Sequence, residues 1–180
     1  KGAWKAPQSR PIYNLDKIAL AAPEQPIFWV EGEKCADALI ALGYLASTGF
    51  GGSNALAKTD LSPLAGRHVI IWPDHDEPGQ GYAAKLAEQL TTLHSATPLL
   101  LPITDALAKA HDHQGALPNY LPKGWDVADA GAAGWRCSEI DALVNGVACK
   151  LPDATAAYLV SKAGPAANEA QAPACRIAPT

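Results

Sequence analysis

The run His68-Val69-Ile70-Ile71-Trp72, stopped by Pro73, constrains this chain more than any other feature. β-Branched and aromatic residues crowd together there, and a proline cannot donate to a sheet ladder, so the run predicts a strand that ends at Trp72. Ile27-Phe28-Trp29-Val30 predicts another buried strand, stopping at the Glu31-Gly32 turn. Tyr44 to Thr48 and Leu99-Leu100-Leu101, the latter after Pro98, are further strand candidates. Helical patterns lie between them. Glu33 to Leu42 places Ala36, Leu39 and Ile40 on one face, with acidic residues early and Gly43 just past the end. Gly79 to Leu93 repeats Ala83, Leu86, Ala87 and Leu90 at helical spacing. Strands alternating with helices predict an α/β fold, a small parallel sheet of about four strands flanked by helices and joined by right-handed crossovers. Such sheets bind ligands at the carboxyl ends of their strands. Here two strands end in acidic residues.

The rest of the chain is read around that unit. Residues 1–26 form an N-terminal extension with a short helix, Leu15 to Ala22, behind Asn14 as a candidate cap. Residues 55–66 hold a short helix and a loop with Pro63, and 104–122 look like an insertion or long loop. Lys123 to Asp129 is a polar turn leading to a helix from Ser138 to Val144. The catalytic domain is therefore expected over 27–150, and the Ala/Pro-rich residues 151–180 as a linker or tail. The absence of methionine, even at position 1, suggests a piece of a longer polypeptide.

Composition narrows the function classes. At 48% hydrophobic over 180 residues the chain can bury a core. No apolar run approaches the ~20 residues that span a bilayer, and the start does not read as a signal peptide, so no membrane role is expected. Cys35, Cys137, Cys149 and Cys175 are widely spaced without any C-x-x-C, which points to reduced thiols in a cytoplasm. The net charge is -4 and the pI about 5.7. A domain holding nucleic acid unaided usually shows a strongly basic face, so phosphate-binding charge here must come from metal ions or neighbouring domains.

Asp74 and Asp76 flank His75 directly after a buried strand. In an extended segment both carboxylates project to one side, where they repel unless protonated or bridged by a cation. A hard divalent ion such as Mg2+ or Mn2+ takes oxygen ligands, often one or two carboxylates plus water and substrate phosphate. Glu31, ending a second strand, can approach the same edge. An Asp-x-Asp tripeptide alone is weak evidence, since most lie in solvated loops. Its place after Val69-Ile70-Ile71-Trp72, paired with Glu31, strengthens it.

The run Val30-Glu31-Gly32-Glu33-Lys34, the turn Gly49 to Gly52 and the run Trp72-Pro73-Asp74-His75-Asp76-Glu77-Pro78-Gly79 resemble the Toprim domain. This Rossmann-like module is shared by bacterial-type primases, topoisomerases, OLD-type nucleases and RecR-type repair proteins. The resemblance covers roughly residues 27–130, with several motifs in order. Glu31 to Leu39 is most similar to primases of phages, plasmids and integrated elements, and Lys123 to Asp129 is similar to their late acidic motif. The resemblance implies Glu31 as general acid/base or metal ligand, Asp74 and Asp76 as catalytic metal-binding aspartates, and Asp126 and Asp129 as support for a second ion. It implies magnesium-dependent nucleotidyl transfer that makes RNA primers on single-stranded DNA from nucleoside triphosphates, beside a replicative helicase in the same chain or in trans. The alternatives are a metal-dependent OLD-like nuclease with water as nucleophile, and a non-catalytic RecR-like module binding nucleic acid or protein partners. A topoisomerase is disfavoured because its tyrosine lies in another domain.

Several residues carry a functional and a plain reading side by side. Gly51, Gly52 and Ser53 either let backbone approach a phosphate or make ordinary turn chemistry. Lys34 contacts phosphate, pairs with a carboxylate, or is solvated; Lys123 contacts phosphate or is a loop lysine. Arg67 falls at the opposite edge. His111-Asp112-His113 lacks a third partner at metal spacing, so a polar loop is the better reading. Trp29 and Trp72 belong to the core, whereas Trp125, in a polar loop, is more open to base stacking.

Overall fold

The computed structural model describes residues 9–51, 53–112, 115 and 117–148, with backbone only at 53–55. The elements follow in the order α1 (Leu15–Leu20), β1 (Ile27–Trp29), α2 (Glu33–Ala41), β2 (Ala46–Ser47), β3 (His68–Ile71), α3 (Glu77–His94), β4 (Thr97–Leu100), α4 (Asp105–Ala110), α5 (Val127–Ala132) and α6 (Cys137–Ala148). Two short 3-10 turns, Ser53–Lys58 and Ser62–Leu64, link β2 to β3.

All strand pairs are parallel, in the order β2-β1-β3-β4, with Phe28 opposite Ala46 and Ile70. The expected four-stranded α/β fold is therefore present, in a Rossmann-like arrangement. Alternation along the strands sorts the core into two layers. Phe28, Val30, Ile70, Trp72, Leu99 and Leu101 pack with α2, α5 and α6 on one face. Ile27, Trp29, Val69 and Ile71 pack with α1, the 3-10 turns and α3 on the other. Both faces are covered, which is why these strands read as apolar runs rather than as alternating ones.

Local differences from the sequence reading have simple causes. Asn14 does not cap α1 with its side chain; it sits at φ 57° and donates to the Ala46 carbonyl at 3.2 Å. Pro98 lies inside β4 rather than before it. That is tolerated because β4 is an edge strand, and Thr97 and Leu101 donate to the Arg67 and Ile71 carbonyls in its stead. Within 104–122, α4 starts at a Thr104 cap that accepts from the Leu107 N–H at 3.2 Å. Six-residue α5 is too short and alanine-rich to show an apolar stripe. Ile12 and Ile18, in the stretch read as an extension, are buried in the core layer beside α3. Arg67 lies at the amino edge, where its guanidinium donates to the carbonyls of Ile18, Ala22 and Gln25.

Trp125 corrects an expectation more sharply. It is 3% exposed and packs against Trp72 and Trp135, with ring centroids 6.2 and 5.9 Å away. The chain turns at Gly124, φ 74°, and drives the indole under the sheet edge. Trp125 is core, as are Trp29 and Trp72.

Candidate functional site

Strand order reverses between β1 and β3. From β1 the chain crosses by α2 to β2 on one side, and from β3 by α3 to β4 on the other. The crevice outside the carboxyl ends of such a pair is where open parallel sheets place ligands. Glu31 follows β1 and Asp74 follows β3, so the topology brings both to that crevice. The Asp74 backbone N–H donates to the Glu31 carboxylate. The other oxygen, Glu31 Oε1, is buried without a hydrogen-bond partner among the described residues.

Burial, then the charges of Glu31, Asp126 and Asp76, push the Asp74 carboxyl up to about 7; Lys34 works the other way. Glu31 is raised too, by burial first and by Asp76, against the Asp74 N–H that favours its charged form. Two half-buried carboxyls that resist ionising together form a site whose negative charge Lys34 offsets only in part.

Asp76 behaves differently from the extended pairing expected of it. The backbone bends at His75, where the Asp76 N–H reaches the Asp74 carbonyl at 2.8 Å. Asp76 Oδ1 then accepts from the Gly79 N–H at 2.8 Å and caps α3. This cap starts the helix at Glu77, ahead of the expected Gly79, with Pro78 in the first turn.

The late acidic residues are likewise engaged. Asp126 and Asp129 form a capping box at the start of α5, each accepting from the other's backbone N–H at 2.8 and 3.1 Å. Lys34 Nζ stands 3.0 Å from Asp126 Oδ2, so of the readings open for Lys34 the carboxylate pair is the one formed. Burial alone raises Asp126, but the Asp129 N–H, Lys34 and the Cys35 thiol hold it below the usual carboxylate range. The Asp74 turn and the late segment are tied backbone to backbone: the His75 N–H donates to Trp125 and the Gly124 N–H to His75, at 2.9 and 3.0 Å.

Lys123 is exposed beside this ladder. Gly51 takes φ 105°, a true glycine position; Gly52 and the Ser53 side chain lie outside the described residues. His113 also lies outside them, while Asp112 accepts from the Leu117 N–H at 2.8 Å within its loop.

Three residues that matter here escape a sequence reading. Gly79 lies in the first turn of α3, and a Cβ on it would stand 2.8 Å from both Glu31 Oε1 and the Asp74 carbonyl. Thr48 Oγ1 accepts from the Gly32 N–H at 3.0 Å and joins the end of β2 to the Glu31 turn. Cys35 donates to Asp126, and burial followed by that contact pushes its thiol up to about 12. A glycine near a proline looks like turn chemistry, and a threonine after a strand looks like strand, so only packing distinguishes them.

Among the described residues, no three His, Cys, Asp or Glu side chains form a group that could hold a metal ion. The donor set suits an ion that takes one or two carboxylates and keeps its waters, which is the habit of magnesium. Glu31 and Asp74 fit that role; Asp76, Asp126 and Asp129 each give one carboxylate oxygen to a helix cap. No helix among the described residues is long and apolar enough to cross a membrane. Comparison with protein-family models, curated proteins and solved structures finds no match.

Proposed function

We propose that this chain is the Toprim domain of a DNA primase of the phage, plasmid or mobile-element kind. The observation that carries the reading is the pairing of Glu31 and Asp74 at the strand-order reversal, with a buried, unpartnered Glu31 Oε1 and an Asp74 carboxyl pushed up to about 7. Such a pair gains from a hard cation more than from solvent. Glu31 and Asp74 would hold a magnesium ion there, and it would supply charge neutralisation at the phosphates of an incoming nucleotide. Asp74 orients the Glu31 carboxylate through its backbone N–H. Glu31, raised by burial, is suited to hold or pass a proton at its free oxygen. Asp76 fixes the start of α3, and Asp126 keeps Lys34 beside the crevice as a second positive group. Single-stranded DNA and nucleoside triphosphates are the proposed substrates, with a helicase domain as partner.

A second reading has its own support. Asp76, Asp126 and Asp129 each spend an oxygen on a helix cap, as suits a non-catalytic module that binds nucleic acid or protein. Calorimetry with magnesium or manganese, with and without a nucleoside triphosphate, separates the two. The primase reading expects uptake by the wild type and its loss in Asp74→Asn and Glu31→Gln. Wild-type protein that takes up no ion even with nucleotide present leaves the binding module. An OLD-like nuclease shares the same cluster and is separated by assaying primer synthesis against strand cleavage.

A further inference from the structure

Phe50 is 60% exposed. It follows β2, the neighbour of β1, at the same carboxyl edge as Glu31. Gly49 pairs with Ile12 in an antiparallel bridge, and a Cβ on Gly49 would meet Thr59 Oγ1 at 3.0 Å. On the far side, Arg10 donates to the Phe50 carbonyl at 3.2 Å. Glycines at 49 and 51 add no side chain beside the ring, which is left mostly exposed. The Thr48–Gly32 hydrogen bond ties this loop to the Glu31 turn. With two residues on one side of that bond and one on the other, Phe50 stands at most on the order of 15 Å from Glu31, Cα to Cα.

Arg10 adds charge. Among the described residues its guanidinium meets no carboxylate at ion-pair distance, and its one hydrogen bond goes to a neutral carbonyl. An aromatic face beside an uncompensated guanidinium matches the two parts of a nucleotide, a base that stacks and a phosphate that takes a cation. The tryptophans at 29, 72 and 125 are buried and cannot serve.

We propose that Phe50 and Arg10 form a docking platform for single-stranded nucleic acid, with one base stacked on the Phe50 ring and an adjoining phosphate on Arg10, leading the strand toward the Glu31–Asp74 crevice. This rests on the nucleic-acid reading above, but the platform needs no metal. A base inside a duplex presents no free face, so the platform selects unpaired strands.

The test is fluorescence anisotropy of a labelled oligothymidine with the 180-residue chain in EDTA, over a salt series. Phe50→Ala should bind roughly tenfold more weakly than wild type with an unchanged salt slope, and Phe50→Trp should recover binding. Arg10→Gln should lower the slope of log K against log salt by about 0.7, the loss of one phosphate contact on a single strand. Thermal melts of each variant, expected to match wild type, guard against unfolding. Wild-type affinity in Phe50→Ala, or no oligothymidine binding by the wild type, overturns the platform. Magnesium uptake by the wild type is read separately: uptake with a silent Phe50→Ala variant leaves the catalytic reading standing, and a sensitive variant without uptake leaves the platform alone.

Discussion

Glu31 Oε1 lies 2.8 Å from where a Cβ on Gly79 would stand, so the first turn of α3 and the end of β1 meet only because residue 79 has no side chain. The same Cβ would press on the Asp74 carbonyl at 2.8 Å and the Asp74 Cβ at 3.1 Å. Two of those three neighbours belong to the chain's own turn and cannot swing aside. Gly79→Ala gains about 1 kcal/mol of helix propensity. Overpacking costs ~1–3 kcal/mol and outweighs it. The variant is expected to unfold at lower urea and, on the proposed magnesium reading, to take up the ion at least several-fold more weakly, because Glu31 is displaced. A stability above wild type, measured in the same urea titration, would contradict the close approach.

The crowded carboxyls give a pH dependence of definite sign. Asp74 keeps its proton to about 7 in the folded protein, against 3.8 for the free group, so the folded state binds more protons than the unfolded state between those values. Unfolding free energy therefore falls as pH rises through that window, and the penalty is complete above it. The carboxyl is only half-buried, so solvent screening reduces the effect to on the order of 1–2 kcal/mol. Melts in EDTA from pH 4.5 to 8 should show this decline in wild type and a flatter profile in Asp74→Asn, which should be the more stable protein at pH 8. A wild-type profile that rises over this range would be the opposite sign.

How far this site was legible follows from what sets each feature. The run at His68–Trp72 and its partner at Ile27–Val30 announce parallel strands because both faces are buried, and the acidic residue after each then falls at the carboxyl edge by topology. The capping by Asp76, Asp126 and Asp129 was not legible, since an aspartate at a helix start reads as ligand as readily as cap. Hydrogen-bond partners reveal it, and here each accepts from a backbone N–H at 2.8–3.1 Å. Trp125 misled for a related reason: its neighbours in sequence are polar, but its neighbours in space are Trp72 and Trp135.

That burial makes Trp125 a stability residue. Trp125→Ala removes a ring from a three-indole cluster and should cost about 3–5 kcal/mol, the range for emptying a large aromatic site. Trp125→Phe refills part of the volume and should recover much of the loss. Both are read from urea midpoints, with near-ultraviolet circular dichroism reporting the lost indole packing. An alanine variant as stable as wild type, altered only in nucleic-acid binding, would return Trp125 to the surface.

Lys34 and Asp126 separate a cap from an ion pair. The lysine side chain is 68% exposed, so the pair itself is worth ~0–1 kcal/mol, and Lys34→Met should barely move the urea midpoint. Asp126→Ala removes the same pair together with the acceptor for the Asp129 N–H, and should cost about 1–2 kcal/mol. Lys34 still matters electrostatically, because its charge is what opposes the upward push on Asp74. Lys34→Met should therefore carry the Asp74 titration to higher pH, followed by carboxyl NMR in EDTA, while leaving the fold intact. Equal destabilisation in both variants would mean that the ion pair, rather than the cap, holds α5 in place.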